Sequence, residues 1–340
     1  GREYGIVASG YGIGDWSEDA YEDAAVSDLV LGARAWTITN YGEDLIANFR
    51  GGKIYYWDAS SGLTSNRATE VSNAPRALEV IVSQINRHVL AFGSEETSGS
   101  GVIDPLLIRW SDQEDRDLWT PAETNTAGSL RLSADAQAII GAVETRSEIL
   151  VWTNNTLHAV RPLFNDFVFG LNDLGQNCGL IGQNCAVDYN GQIFWMSRDD
   201  FYTYDGSVRP LYADVRADVF EHLDRLRVSQ YFAGVNKEFN EIWWFYVSLD
   251  SPDREIDRYV IYNPLEQHWS WGSLSRTAWA TQGIFAEPLL ASPGHQLFFH
   301  EIGDSNAEDE AFASYLESGE FELPEAGQQF VFVDRIVPDL

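Results

Sequence analysis

Histidine, cysteine and serine are the residues of this chain that could supply metal ligands or a nucleophile. The six histidines never fall in the HxH or HExxH spacing that brings two imidazoles to one metal ion. GxSxG, the turn that exposes a nucleophilic serine, does not occur. Cys178 and Cys185 are seven residues apart, which matches neither a CxxC redox pair nor a zinc knuckle. We therefore expect free structural thiols, no bound metal, no cofactor and no catalytic residue.

Acidic residues are the second source of possible chemistry, because the chain has 52 of them. The loops at 111–117, 250–257 and 304–310 could hold calcium, but none has the sixth-position glycine and the final glutamate of an EF-hand. Two carboxylates suffice for a glycosidase, so that activity stays open, although the SxDxGxxW box of sialidase propellers is not met. The acids that we expect at channel-facing or otherwise exposed ends of the fold are Asp112, Glu114, Asp115, Asp117, Asp253, Glu255 and Asp257.

The twelve tryptophans could either bind a sugar or a base, or fill space between sheets. Three of them stand in HWSWGSLSRTAW (268–279), where alternation in a strand would point the first two to one face. Most of the others lie inside predicted strands, which favours packing. The expected packing or interface aromatics are Trp243, Trp244, Trp269 and Trp271, whereas Trp279 on the next run could be exposed.

The net charge of −30 disfavours ordinary DNA binding, which needs cations that displace counterions from phosphate. Only two of the 22 basic residues are lysines, Lys53 and Lys237. Like charge keeps a polyanion off a wall, so contact with DNA that slides past without sticking stays possible. A protein from a saline habitat is the alternative explanation. No window predicts a membrane span, and the first residues lack the apolar core of a signal peptide.

The elements that must position these residues are predicted to be antiparallel hairpins. Short aromatic and β-branched runs turn at Gly51–Gly52, Asn154–Asn155, Asn190–Gly191 and Pro293–Gly294. The apolar anchors of these units are separated by 44, 63, 43, 49 and 54 residues, and they are Leu45, Val89, Trp152, Trp195, Trp244 and Phe298. Most of these spacings suit four-stranded blades, which predicts an all-β fold, a β-propeller of about six blades. Two β-sandwiches in tandem are the alternative.

Three regions follow from this pattern. Residues 1–32 are predicted to be an irregular Gly/Tyr/acid-rich arm or linker, residues 33–303 the propeller, and residues 304–340 an acidic loop with the start of a further β segment. One helix is predicted at 214–227, with Val215, Val219, Leu223 and Leu226 on a common face.

Several blocks of the chain follow the order of one known family. They include AWTITNYGEDLIANFRGGKIYYWD (35–58), RWSDQEDRDLWTP with NTAG (109–128), EIWWFY (241–246), RYVIYNPLEQHWSWGSLSRTAW (258–279) and FVDRIVPDL (332–340). In these blocks the chain resembles the tail nozzle proteins of short-tailed bacteriophages, also called tail tubular or DNA-stabilisation proteins. The resemblance covers nearly all 340 residues, and its most specific pieces are the second and third of these blocks.

The resemblance implies a structural virion protein without catalytic activity. It implies a propeller with added β-domains, assembled as a six-membered homo-oligomeric ring in the phage tail after synthesis in the host cytoplasm. The implied partners are head–tail adaptor or portal proteins, tail fibre or spike proteins, a plugging needle, and passing double-stranded DNA that is not bound specifically. The rival hypothesis is a glycan-binding or glycan-cleaving propeller, either a receptor-binding tail protein or a glycosidase.

Overall fold

A computed structural model describes residues 35–62, 66–133, 136–163, 167–283 and 285–303. In this part of the chain, 23 strands form six antiparallel sheets that lie in a ring as the blades of a β-propeller. The fold predicted from the hairpin repeat is therefore confirmed, and the described strands form a propeller rather than two tandem sandwiches. The arm predicted at 1–32 and the segment predicted at 304–340 lie outside the described residues.

Five blades have four strands each and the sixth has three, all hydrogen-bonded in chain order. Blade 1 comprises β1 (Trp36–Tyr41), β2 (Asp44–Phe49), β3 (Ile54–Trp57) and β4 (Thr69–Glu70); blade 2 comprises β5 (Ala77–Val82), β6 (Val89–Glu95), β7 (Ile103–Trp110) and β8 (Gly128–Arg131). Blade 3 comprises β9 (Ile139–Glu144), β10 (Ile149–Thr153), β11 (Thr156–Pro162) and β12 (Phe169–Gln176); blade 4 comprises β13 (Ala186–Tyr189), β14 (Gln192–Met196), β15 (Phe201–Tyr204) and β16 (Val208–Pro210). Blade 5 comprises β17 (Phe232–Asn236), β18 (Glu241–Tyr246), β19 (Arg258–Asn263) and β20 (His268–Ser273); blade 6 comprises β21 (Ala278–Ala280), β22 (Leu289–Ala291) and β23 (Leu297–Phe299).

Each predicted turn joins two consecutive strands of one blade. Asn190 and Gly191 link β13 to β14 with φ of 55° and 85°, the left-handed conformation that a two-residue hairpin needs. Turns also stand between β2 and β3, β10 and β11, and β22 and β23, where they were predicted. The first five apolar anchors all lie on the second strand of a blade, but Phe298 lies on the third strand of blade 6. Leu290, which is fully buried on β22, holds the equivalent position there.

The meander order gives the propeller two distinct ends. Turns after second strands and the connections between blades share one end, which we call the strap face; it contains residues 50–53, 154–155 and the connection 177–185. Turns after first and third strands share the other end, the opposite face, which contains residues 190–191 and the loop 111–127. First strands of neighbouring blades contact each other, β5 with β9 and β13 with β17 among them, so they lie nearest the axis.

Among the described residues, three buried apolar clusters hold neighbouring blades together. One joins blades 1 and 2 through residues such as Ile46 and Val80, and a second joins blades 2 and 3 through Phe92 and Val151. The third and largest extends from blade 3 to blade 6 and contains Trp152, Trp195, Trp244 and Leu290. Burying one large apolar side chain contributes about 1.5–3 kcal/mol, so these seams supply much of the stabilising free energy.

The helix predicted at 214–227 is shorter than its apolar spacing indicates. Helix α1 spans Arg216–His222, with Leu223 already extended, and Leu226 is 83% exposed rather than on the buried face. Asp224 accepts a hydrogen bond from the amide of Leu226 (2.9 Å), a local turn that competes with helix continuation. The prediction of a helix was right, but its second half was wrong.

Candidate functional site

The loop between β7 and β8, which carries the most specific block of the resemblance, is a tie between blades 1 and 2. The buried Arg109 donates to the carbonyl oxygens of Glu95 (3.1 Å) and Trp119 (2.8 Å). Trp119 is 1% exposed and belongs to the apolar cluster that blades 1 and 2 share. The Arg116 guanidinium lies 3.6 Å from the ring centroid of Tyr56 in blade 1, a cation–π contact.

The acids of this loop divide into one structural carboxylate and three exposed ones. Asp112 is half-buried and accepts hydrogen bonds from the Thr126 amide (2.8 Å) and the Thr126 hydroxyl (2.6 Å). Burial alone would raise the pKa of Asp112, but these bonds outweigh it and hold the pKa below its ordinary value. Glu114, Asp115 and Asp117 are exposed on the opposite face. The four acids are neighbours in the sequence, yet only Glu114, Asp115 and Asp117 are exposed to solvent.

The second predicted acidic loop, between β18 and β19, lies at the other end of the propeller, on the strap face. Asp257 is half-buried and accepts from the Ser248 amide (2.7 Å) and hydroxyl (2.6 Å), so it closes the loop. Asp253 is exposed and accepts from the Ser251 hydroxyl (3.1 Å) and the amide of the half-buried Glu255 (3.2 Å). The two acidic loops therefore do not form one site, since they occupy opposite ends of the molecule.

Tryptophans on second strands fasten the connection between blades 3 and 4. Trp195 donates its indole N–H to the carbonyl of Cys178 (2.9 Å), and Trp244 donates to the carbonyl of Cys185 (3.1 Å). Both tryptophans are fully buried. The amide of Ala233 in blade 5 donates to the carbonyl of Asn184 (2.7 Å), so the connection 177–185 contacts three consecutive blades.

The aromatic residues singled out from the sequence differ in burial. Trp243 is 8% exposed, and Trp269 packs its ring 4.6 Å from Tyr262 between blades 4 and 5. Trp271 shares the parity of Trp269 on β20 but is 55% exposed, whereas Trp269 also packs its ring 4.7 Å from Phe201 of blade 4. Trp279 is half-buried, with its ring 5.8 Å from that of Trp243. Of the predicted aromatics, Trp271 alone presents most of its ring to solvent.

The connection 177–185 passes very close to other backbone segments at two glycines, Gly179 and Gly182. A Cβ at Gly179 would overlap the Asn154 backbone, and one at Gly182 would overlap the Val228 carbonyl oxygen. The two flanking cysteines are free thiols, as the sequence predicted, and both are buried. Burial raises the pKa of Cys178 to about 11 and also raises that of Cys185.

A polar cluster near the axis on the strap face escaped the sequence analysis. Arg50 donates to the carbonyl oxygens of Ile139 (3.0 Å) and Ile140 (2.9 Å), and to Gln183 Oε1 (3.2 Å). Gln183 Nε2 in turn donates to Thr37 Oγ1 (2.8 Å). Arg50 therefore connects blade 1 to blade 3 and to the following connection, across blade 2.

Two buried glutamates of blade 2 have pKa values that are shifted in opposite directions. Burial raises the pKa of Glu79 to about 8, although Arg50 and the Ala142 amide, which donates at 3.0 Å, act against that shift. Glu95 is also fully buried, but its carboxylate accepts from the amides of Arg76 and Gly99. Burial by itself would raise the pKa of Glu95, and backbone amides outweigh it and lower the pKa.

A hydroxyl, an imidazole and a carboxylate follow one another in blade 3. His158 Nε2 lies 2.7 Å from Thr156 Oγ1, and its Nδ1 lies 2.6 Å from Asp173 Oδ1. This is the order of groups that activates a nucleophile in hydrolases. Thr156 is 5% exposed and also bonds to the Thr153 hydroxyl (2.7 Å), so here the chain of bonds braces the β10–β11 hairpin.

The described part of the chain contains neither a group of metal-ligating side chains nor a membrane-spanning helix. Within it, no three His, Cys, Asp or Glu side chains are grouped so that they could share a metal ion. Nor does any helix in residues 35–303, apart from the undescribed gaps, have the length and apolarity to cross a membrane.

Comparison with known proteins gives a similarity of fold only. No protein-family model and no curated protein sequence matches this chain. Among solved structures, it is similar to a fungal alcohol oxidase (TM-score 0.49, 12% identity, 76% of this chain and 58% of that one). It is also similar to the N-terminal domain of Nup159 (0.47, 12%, 82% and 81%) and to Hsv2p of Kluyveromyces lactis (0.42, 12%, 81% and 76%). These likenesses carry no argument about function.

Proposed function

We propose that this chain is a structural virion protein, the ring-forming nozzle subunit of a short bacteriophage tail. Six copies would enclose the channel through which the genome leaves, linking the head–tail adaptor to fibres or to a plugging needle. In this role the protein catalyses nothing and needs no cofactor. The proposal is supported by the sequence blocks that resemble nozzle proteins and by the charge and construction of the propeller.

The observation that carries this proposal is the exposure of acidic loops at both ends of the propeller. Glu114, Asp115 and Asp117 are exposed on the opposite face, and Asp250 and Asp253 on the strap face. A wall beside passing DNA must not bind phosphate anywhere along its length, and negative charge on both ends of each subunit keeps the polyanion away.

The blocks that carry the resemblance also make contacts between blades, as the rigid wall of a channel needs. The 109–128 block ties blade 1 to blade 2 through Trp119 and Arg116. The EIWWFY strand places Trp244 in the largest apolar cluster and fastens it to the connection before blade 4. A ring that encloses packaged DNA under pressure would need strong contacts between neighbouring blades, and these residues form such contacts.

Negative-stain imaging of the purified full chain, with native mass spectrometry, tests the proposal. We expect sixfold rings, alone or after addition of the cognate adaptor, and no retardation of double-stranded DNA in a low-salt gel. Particles that remain single propellers with the adaptor present would contradict the proposal. Hydrolysis or tight binding of a defined glycan by the single propeller would favour the rival glycan-directed function instead.

A further inference from the structure

The outer strands of the blades differ in how well their free edges are protected. A free edge presents unpaired N–H and C=O groups, and proteins protect it by keeping the strand short, by bending it, or by placing charge or proline on it. Five of the six outer strands in the described part of the chain are protected in one of these ways. β4 has two residues, β23 has three, and β16 has three and ends in a proline. β8 carries Arg131, which pairs with Asp104 at 2.6 Å, and β12 carries Asp173 beside a register shift.

Strand β20, the outer strand of blade 5, has no such protection. Its six residues, HWSWGS, include no proline, acid, lysine or arginine, and they pair with β19 without a register shift. The amide of Leu274 donates to the carbonyl of Asp257 (2.9 Å), so the backbone groups of alternate residues along β20 point away from β19. These residues are Trp269, Trp271 and Ser273. Within the described residues, no other strand pairs with this edge.

The charge around this edge favours a second copy of the chain as its partner. Residues 267–286 contain neither Asp nor Glu, and no other stretch of the chain without acids is as long. Two chains with a net charge of −30 repel each other wherever their acids meet, so β20 is a surface on which two copies can approach. The strand has no acid, lysine or arginine for a charged partner to pair with, only backbone groups and the ring of Trp271, which is 55% exposed. An identical strand has the same groups to offer in return.

We propose that β20 of one chain pairs antiparallel with β20 of a second copy, with the two-fold axis at Trp271. In this register Trp271 lies opposite its own counterpart, and each Trp269 lies opposite the small side chain of Ser273. All the residues with outward backbone groups are then paired, which gives about six hydrogen bonds between the strands. A shift of the axis by one residue leaves fewer such pairs and only about four hydrogen bonds.

The small size of this contact sets its strength. A strand of six residues is about 20 Å long, and one pair of such strands covers less than the roughly 800 Å² that a stable complex buries on each partner. We therefore expect a weak dimer that dissociates on dilution. A two-fold contact closes on two copies, so it is distinct from the contacts of the proposed ring and goes beyond the proposed function.

Disulfide formation in the full chain tests the register. Trp271→Cys puts two thiols opposite each other across the axis, where the Cα–Cα distance of about 5.5 Å suits a disulfide. We expect mild oxidation to give a linked dimer on a non-reducing gel, and mass spectrometry to find residue 271 joined to itself. Ser273→Cys is the matched control on the same edge, because its counterpart lies about 13 Å away along the strands. The native Cys178 and Cys185 are buried and should not interfere.

Sedimentation velocity tests the association itself. The unchanged chain should form a reversible dimer whose fraction rises with protein concentration and with salt, because salt screens the repulsion between copies. Trp271→Glu puts two carboxylates together at the axis and should weaken the dimer at least about tenfold. Val102→Glu adds the same charge at a residue that is 73% exposed on another blade, and it should change the association little.

Three outcomes would overturn the proposal: a chain that stays monomeric at every concentration, an association that Trp271→Glu does not weaken, or a Ser273→Cys crosslink as strong as that of Trp271→Cys. A monomeric chain that still forms sixfold rings with the adaptor would overturn this pairing alone. A dimer with the expected crosslink that never forms rings would support the pairing and contradict the proposed function.

Discussion

Blades 3, 4 and 5 of this propeller bury their second strands differently from blade 1. In blades 3, 4 and 5 the second strand carries a tryptophan, and all three of these tryptophans are fully buried in one continuous cluster. In blade 1 the same strand carries Leu45, which is only half-buried. Blades 3, 4 and 5 each share buried apolar clusters with blades on both sides, whereas among the described residues blade 1 shares one with blade 2 alone, so the same position contributes different amounts of stability.

Removing a large ring from each region gives the largest contrast. Trp244→Ala should lower the free energy of unfolding by about 3–5 kcal/mol, because it leaves a cavity and frees the carbonyl of Cys185. Trp36→Ala, in β1 of blade 1, should cost less than about 1 kcal/mol, because 48% of this side chain is exposed. Urea denaturation followed by circular dichroism measures both, and equal losses would remove the distinction between the regions.

The stability contributions of the two buried glutamates of blade 2, Glu79 and Glu95, should change with pH in opposite directions. The pKa of Glu79 is raised to about 8 in the folded state, from 4.5, so its contribution is fully present below pH 4.5 and is lost as the pH rises to about 8. Glu79→Gln keeps an acceptor for the Ala142 amide and does not ionise. The variant should therefore gain stability relative to the wild type across that range.

Glu95→Gln is the matched control, because the folded-state pKa of Glu95 is lowered. Its stabilising effect is present above the unfolded pKa and is lost as the pH falls through the folded value. The variant should be less stable than the wild type at pH 7, and the difference should shrink on acidification. Parallel pH profiles for the two variants, measured by urea denaturation, would contradict both assignments.

A smaller effect is expected where the connection between blades 3 and 4 passes the Asn154 backbone. Gly179→Ala introduces a Cβ that overlaps that backbone, and the required shift should cost about 1–3 kcal/mol. Gly283→Ala is the control, because the nearest atom to its Cβ is 4.0 Å away. Thermal unfolding should separate the two variants by several degrees, and a Gly179 variant as stable as the control would show that the connection yields easily.

The smallest effect concerns the acids at 112–117. Asp112→Ala should cost about 1 kcal/mol, because Thr126 loses two hydrogen bonds. Glu114→Ala removes an exposed carboxylate whose Arg87 partner is 3.9 Å away, and it should change stability by less than about 0.5 kcal/mol. Denaturant titrations at low and moderate salt compare them. A larger loss for Glu114 would mean that the exposed acids also carry structure.

Local turn chemistry made most of the fold predictable from sequence. Asn190–Gly191 specifies a hairpin by its left-handed backbone, whereas Asn154–Asn155 marks the β10–β11 turn although neither asparagine has a positive φ. The spacing of second-strand residues such as Trp195 indicated the number of blades. Leu226 was misplaced because apolar spacing shows that a helix is possible but does not show where a competing turn ends it. The exposure of Trp271 was not predictable, since alternation gives the face of a strand but not whether another blade covers it.

The polar cluster around Arg50, near the axis on the strap face, was not predicted for a different reason. Arg50 and Glu79 are ordinary charged residues, 29 positions apart, and only the ring brings them together. One sequence signal was present: Glu79 is the single charge in the otherwise apolar strand ALEVIV. A lone carboxylate in a buried strand needs a partner, so its position predicts a polar contact but not which residue supplies it.

The burial of the two thiols has a practical consequence for measuring how this molecule opens. Only a thiolate reacts readily with maleimides or peroxide, and the raised pKa values keep Cys178 and Cys185 protonated near neutral pH. The intact chain therefore behaves as its own cysteine-free background, and a cysteine introduced on the surface would be the single labelled position. Slow modification of the native pair would then time the separation of blades 3, 4 and 5.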